Sequence, residues 1–101
     1  MSLKSDRKVR KKAMARHAVT RLFERFFMYI TFREYDQLCH SIKNSEPGCE
    51  SVGTGYTNNE TFHFLTIYGE RVVALYDKDF DRIRTFYKVE YYEDFMDKHR
   101  R

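Results

Sequence analysis

The sequence has no tryptophan, one proline, four glycines and two cysteines, and it lacks any long apolar run. Its longest near-apolar stretch, Phe26 to Phe32, is interrupted by Tyr29 and Thr31. That excludes a membrane-spanning helix and a secretory leader, so a cytoplasmic location is expected. Cys39 and Cys49 are too few for a disulfide framework and are expected as reduced thiols. With His40 and His63 they match no ligand spacing, so neither a metal site nor any other cofactor is expected. The glycine pair Gly53-Thr54-Gly55 reads as a flexible loop, because no strand precedes it to make a phosphate-binding turn. No serine occupies a nucleophile elbow, and no internal repeat supports a solenoid.

What the chain does have is aromatic residues and unevenly placed charge. Nine Phe and eight Tyr among 101 residues must supply much of a core that so short a chain builds with difficulty. The length allows one domain. Residues 1–25 hold nine Lys and Arg against Asp6 and Glu24, a net charge of +7, whereas residues 26–101 hold ten against thirteen, a net charge of −3. Basicity is therefore local. It points to a polyanion as partner, a nucleic acid (RNA or DNA) or an acidic protein, since each neutralised phosphate releases counterions. A membrane surface is not expected, because the basic segment has no Trp/Phe/Leu face to insert.

Apolar residues at Ala15, Ala18, Val19, Leu22, Phe23 and Phe26 carry the spacing of one helical face and predict a helix from Asp6 to Tyr29. Its basic first turns, residues 1–12, form an arm poorly matched to the helix dipole, which frays or awaits a polyanion. Thr31-Phe32-Arg33-Glu34 reads as a capping box opening a second helix with Phe32, Tyr35, Leu38, Cys39 and Ile42 as its buried stripe. From Thr61 the period changes to two, giving a hairpin of Thr61 to Tyr68 and Arg71 to Asp77 about a Gly69-Glu70 turn, then a strand from Arg82 to Tyr87. In that register Leu65 faces Ala74 and His63 faces Tyr76. One sheet face carries Leu65, Ile67, Val72, Ala74 and Ile83 with His63, Tyr76 and Thr85; the other carries Phe62, Phe64, Tyr68, Val73, Leu75 and Phe86 with Arg71 and Arg84. Residues 89–101 read as a closing helix with basic residues late, Lys98, Arg100 and Arg101. The expected fold is α+β: a basic N-terminal helix and a second helix on an antiparallel sheet of three to four strands around a core of residues 13–88, with a C-terminal helix.

The run His17-Ala18-Val19-Thr20-Arg21-Leu22-Phe23-Glu24-Arg25-Phe26, the helix opened by Thr31, and Val73-Ala74-Leu75-Tyr76-Asp77 before Ile83-Arg84-Thr85 together resemble small phage- and plasmid-encoded proteins of the RelE/colicin-like (barnase-EndoU-colicin-RelE) ribonuclease-toxin superfamily. A glycine commonly ends the first helix there, where this chain has Phe27-Met28. The resemblance implies a metal-independent endoribonuclease in which the ribose 2′-hydroxyl attacks the adjacent phosphate, and an antitoxin or host protein as a further partner. On that basis His17 is the general acid or base, Arg21 and Arg25 hold the phosphate, and Tyr76 and Thr85 orient the substrate. Histidine titrates near neutrality and arginine binds phosphate bidentately, so the residue types suit the chemistry.

Other readings stay open at this point. His17, Thr20, Arg21 and Glu24 oppose the apolar arc of their helix and could form a solvated face. His63 opposite Tyr76 is either a second proton-transfer pair or a satisfied cross-strand contact. Arg7, Lys8, Lys11 and Lys12 of the arm, with Arg25, Arg71 and Arg84, are the candidate nucleic-acid ligands, and the aromatic sheet face could instead stack bases without catalysis. A non-catalytic phage-type factor that occupies a nucleic acid or host protein, and a homodimeric adaptor using the C-terminal helix, are the alternative functions.

Overall fold

A computed structural model describes residues 3–98, and the expected Arg100 and Arg101 at the end of the closing helix lie outside the described residues. The fold is α+β. Two helices, α1 (Leu3–Phe26) and α2 (Phe32–Lys43), precede strands β1 (Ser51–Thr54), β2 (Glu60–Ile67), β3 (Glu70–Asp77) and β4 (Arg82–Tyr87), and helix α3 (Val89–Lys98) closes the described chain. The strands form one antiparallel sheet in the order β1-β2-β3-β4. Among the described residues no helix is long and apolar enough to cross a membrane.

The spacing of Ala18, Val19 and Leu22 buries one stripe of α1 against the sheet, and the helix runs unbroken through its basic turns to Leu3. Arg7 helps hold that end down: its guanidinium lies 4.4 Å from the Phe80 ring centroid and donates to the Asp79 carbonyl. Phe27 ends α1 in the left-handed conformation (φ 55°), the position at which glycine is usual, and its amide bonds back to the Phe23 carbonyl. The capping box at Thr31 forms as its sequence predicts, with Thr31 Oγ1 accepting from the Glu34 amide and Glu34 Oε1 from the Thr31 amide. The Thr31 amide, and after it the Tyr68 hydroxyl at 2.6 Å, hold the Glu34 carboxyl below the usual range. Tyr35, Cys39 and Ile42 are buried as the stripe requires, but Phe32 at its head is 53% exposed.

Both sheet faces are covered. Ala18, Leu22, Ile30, Tyr35 and Cys39 pack on Leu65, Ile67, Val72, Ala74, Ile83 and Phe86, while Val89, Tyr92 and Phe95 of α3 pack on Phe62, Phe64, Val73, Leu75 and Tyr87. The apolar side of α3 is thus occupied by its own sheet, and Phe62 and Phe86 are sealed in the core rather than displayed for bases. Strand β4 lies at a sheet edge whose outward backbone groups would otherwise be bare. The helices satisfy them: Tyr35 Oη donates to the Ile83 carbonyl (2.7 Å), the Ile83 amide donates to Cys39 Sγ (3.4 Å), and Arg25 Nη1 donates to the Phe86 carbonyl (2.7 Å). Cys39 and Cys49 are free thiols.

The sheet differs from the expectation in three further details, and α1 ends at Phe26 rather than Tyr29. The hairpin turns at Tyr68-Gly69, both at positive φ, so Leu65 faces Val72 and His63 faces Ala74. Moving the turn by one residue shifts each pairing by two, which keeps every side chain on its expected face. Ser51–Thr54 is a strand, not a flexible loop. A bulge in the β3–β4 pairing sets Tyr76 against Ile83 but Leu75 against Thr85. It sends Phe86 to the helix side and leaves Thr85 beside Leu75, reversing both expected placements.

Candidate functional site

The bulge builds the site. Adding a residue to β4 puts Arg84 and the buried Thr85 into the lining of an open cleft of about 630 Å³ between β4 and α1, lined also by Ala13, Met14, His17, Tyr56, Thr57, Glu60, Leu75 and Tyr87. His17 is exposed on α1, and the helix places it across this cleft from Thr85. Arg25, two turns further on, donates from Nη1 to Thr85 Oγ1 at 3.0 Å, and its guanidinium sits 4.8 Å from the Tyr87 ring centroid. Tyr87 in turn stacks on Tyr91 of α3, with centroids 4.2 Å apart.

The charged groups at the cleft and beneath it are satisfied. Glu60 and Asp77 are buried and face each other across β2 and β3. Glu60 Oε1 accepts from the Thr57 amide (3.1 Å) and hydroxyl (3.3 Å), and Asp77 Oδ1 accepts from the Asp79 and Phe80 amides. Arg84 joins the two, with Nη1 3.0 Å from Asp77 Oδ2 and Nε 3.6 Å from Glu60 Oε2. Its side chain is still 47% exposed, so it borders the cleft as well.

Gly55 makes this geometry attainable. A Cβ there would stand 2.7 Å from Leu75 Cδ1 and 2.8 Å from Glu60 Cβ, and the Gly55 amide bonds the Glu60 carbonyl at 2.8 Å. Gly55→Ala is expected to cost about 1–3 kcal/mol by overpacking. Urea denaturation would show it, and an unchanged midpoint would contradict the close approach.

The other candidates fall elsewhere. Arg21 is on the solvent side of α1, 3.1 Å from Glu24. Tyr76 is buried on the helix side of the sheet, where its hydroxyl donates to Asp81 (3.0 Å) and burial pushes its pKa up. Arg71 lies in β3 next to the hairpin turn, at the end of the strand away from the cleft, over the Phe64 ring. Lys8, Lys11 and Lys12 line a separate groove on the other flank of α1. His63 is buried, with Nδ1 donating to the Cys49 carbonyl (2.8 Å) and Nε2 accepting from Thr61 (2.7 Å), and its ring meets Tyr76 edge-on at 5.8 Å.

Burial pushes the His63 pKa down. The unfolded chain therefore takes up a proton below about pH 6.5 that the folded chain resists. Stability is expected to fall as the pH drops through this range and to level off below the folded-state value. His63→Gln should flatten that part of the stability curve in urea titrations at stepped pH; an unchanged slope would contradict a neutral buried ring.

Among the described residues there is no cluster of three or more His, Cys, Asp or Glu able to hold a metal ion. Sequence reasoning missed Glu60, Tyr56 and Tyr87 as cleft residues. Glu60 carried a signal, an acid sharing strand parity with Phe62 and Phe64 on an otherwise apolar face. Comparison with known protein families, with curated proteins and with solved structures finds no match to this chain.

Proposed function

We propose that this chain binds RNA and cleaves it without a metal ion, using the cleft between α1 and β4. The observation that carries the reading is that His17 and Thr85, distant in sequence, line one open cleft with Arg84 and Glu60. Cleavage by a neighbouring 2′-hydroxyl needs a proton acceptor, a proton donor and a cation for the phosphate oxygens. Glu60, an acceptor-only group once ionised, takes the 2′-hydroxyl proton as that oxygen bonds to phosphorus. His17 as imidazolium gives its proton to the departing 5′-oxygen, leaving a 2′,3′-cyclic phosphate and a free 5′-hydroxyl. Arg84 holds a non-bridging oxygen as charge builds, and Thr85, oriented by Arg25, donates a hydrogen bond to another. Tyr56, half-exposed beside the cleft, offers ring surface to the neighbouring base.

Incubation of the purified protein with single-stranded and structured RNA in EDTA tests this directly. Loss of full-length RNA is expected, whereas salt-sensitive binding that leaves the RNA intact would overturn the catalytic part and favour a non-catalytic binding factor.

A further inference from the structure

Most of the unpaired positive charge on α1 is not at the cleft. Arg84 is paired with Glu60 and Asp77, Arg21 is paired with Glu24, and Arg25 is bonded to neutral oxygens. Lys8, Lys11, Lys12 and Arg16 make no ion pair among the described residues. They open instead, together with Arg82 of β4, onto a groove of about 580 Å³ between α1 and α2. Among the described residues Asp36 is the one acid lining it, and Phe32 forms part of its wall. On the helical wheel Lys8, Lys12 and Ala15 stand roughly 180° from Ala13, Met14 and His17, so the groove and the cleft lie on opposite flanks of α1.

We propose that this groove is a second, separate site that holds a single unpaired RNA strand. Lys8, Lys12 and Arg16 recur every four residues, a row of cations about 6 Å apart along the helix. A row suits a chain of evenly spaced phosphates better than one isolated anion. Arg82 adds a cation from the opposite wall. Phe32 is 53% exposed although it heads the buried stripe of α2, and an exposed ring beside a line of cations is the pairing that single strands exploit, base on ring and phosphate on ammonium. An acidic protein segment would meet the same charges but would leave the ring without that role. The groove supplies affinity and the cleft supplies chemistry, so a strand long enough to cross α1 engages both. That the strand is RNA rests on the cleavage reading; the groove itself requires only an unpaired nucleic acid.

Fluorescence anisotropy with a labelled oligouridylate of about 12 nucleotides and the His17→Ala protein measures binding apart from cleavage. The triple variant Lys8→Ala, Lys12→Ala, Arg16→Ala, altered only at exposed positions, is expected to bind at least tenfold more weakly. Its plot of log affinity against log salt should be shallower by about 2, three phosphates at roughly 0.7 each. Phe32→Ala should lose about tenfold in affinity with the salt slope unchanged. Parent-like binding by both variants, or displacement of the strand by Arg25→Ala alone, would overturn the groove site. Tight binding of polyglutamate with none of oligouridylate would assign it to an acidic protein and overturn it equally. Binding of the expected kind by a protein that never cleaves RNA would keep the groove and discard the cleavage reading.

Discussion

His17→Ala is expected to slow RNA cleavage by about 10²–10⁴-fold, the usual contribution of one proton-transfer group. His17 is exposed and makes no packing contribution to the α1 stripe, so folding stability should barely change. Binding should also persist, because the unpaired cations lie on the other flank of the helix. The comparison that decides it is single-turnover cleavage against oligonucleotide binding on the same preparation. A variant that binds and cleaves like the parent would remove His17 from the mechanism and leave the solvated-face reading of α1. Arg21→Ala serves as the contrast: its guanidinium is engaged with Glu24 away from the cleft, and its effect on cleavage should be small.

Arg84→Met is expected to be the most destabilising of these changes. It leaves Glu60 and Asp77, both nearly inaccessible, without their shared cation. Removing one partner of a buried pair costs about 3–5 kcal/mol, and the half-exposed guanidinium brings the expectation down to about 2–3 kcal/mol. Adding Glu60→Gln should recover part of the loss, since one stranded charge is then gone, and a coupling of about 1 kcal/mol or more is expected from the double-mutant cycle. Strictly additive denaturation free energies would contradict the clamp. Activity should disappear in both proteins, because the same residues form the cleft floor.

Much of the fold was legible because it follows from period and caps. The 3.6-residue spacing through Ala18 and Leu22, the Thr31 capping box and the alternation from Thr61 each act locally and each formed. The hairpin face assignment survived a misplaced turn because strand parity is conserved when pairings shift by two. What was not legible depends on contacts between distant segments. Nothing in Ile83-Arg84-Thr85-Phe86 announces a bulge, yet that extra residue decides that Thr85 meets the cleft and Phe86 the core. Gly53-Thr54-Gly55 reads as a flexible loop because two glycines leave the backbone free; in the fold Tyr92 packs over Gly53, and the Tyr92 hydroxyl donates to the Val52 carbonyl at 2.7 Å. Of the candidate catalytic residues, His17 and Thr85 share the cleft, while Arg21 and Tyr76 do not line it. The Tyr-Asp pair ending β3 matters instead through Asp77, whose carboxylate pairs with Arg84.

The central claim, cleavage by the ribose 2′-hydroxyl in the α1–β4 cleft, is tested most directly by one comparison in EDTA: an RNA oligonucleotide against the same sequence with every 2′-hydroxyl replaced by hydrogen. The RNA is expected to be cut to fragments ending in 2′,3′-cyclic phosphate, and the deoxy strand, though bound, is expected to stay whole. Cleavage of both strands, or of neither, would contradict it.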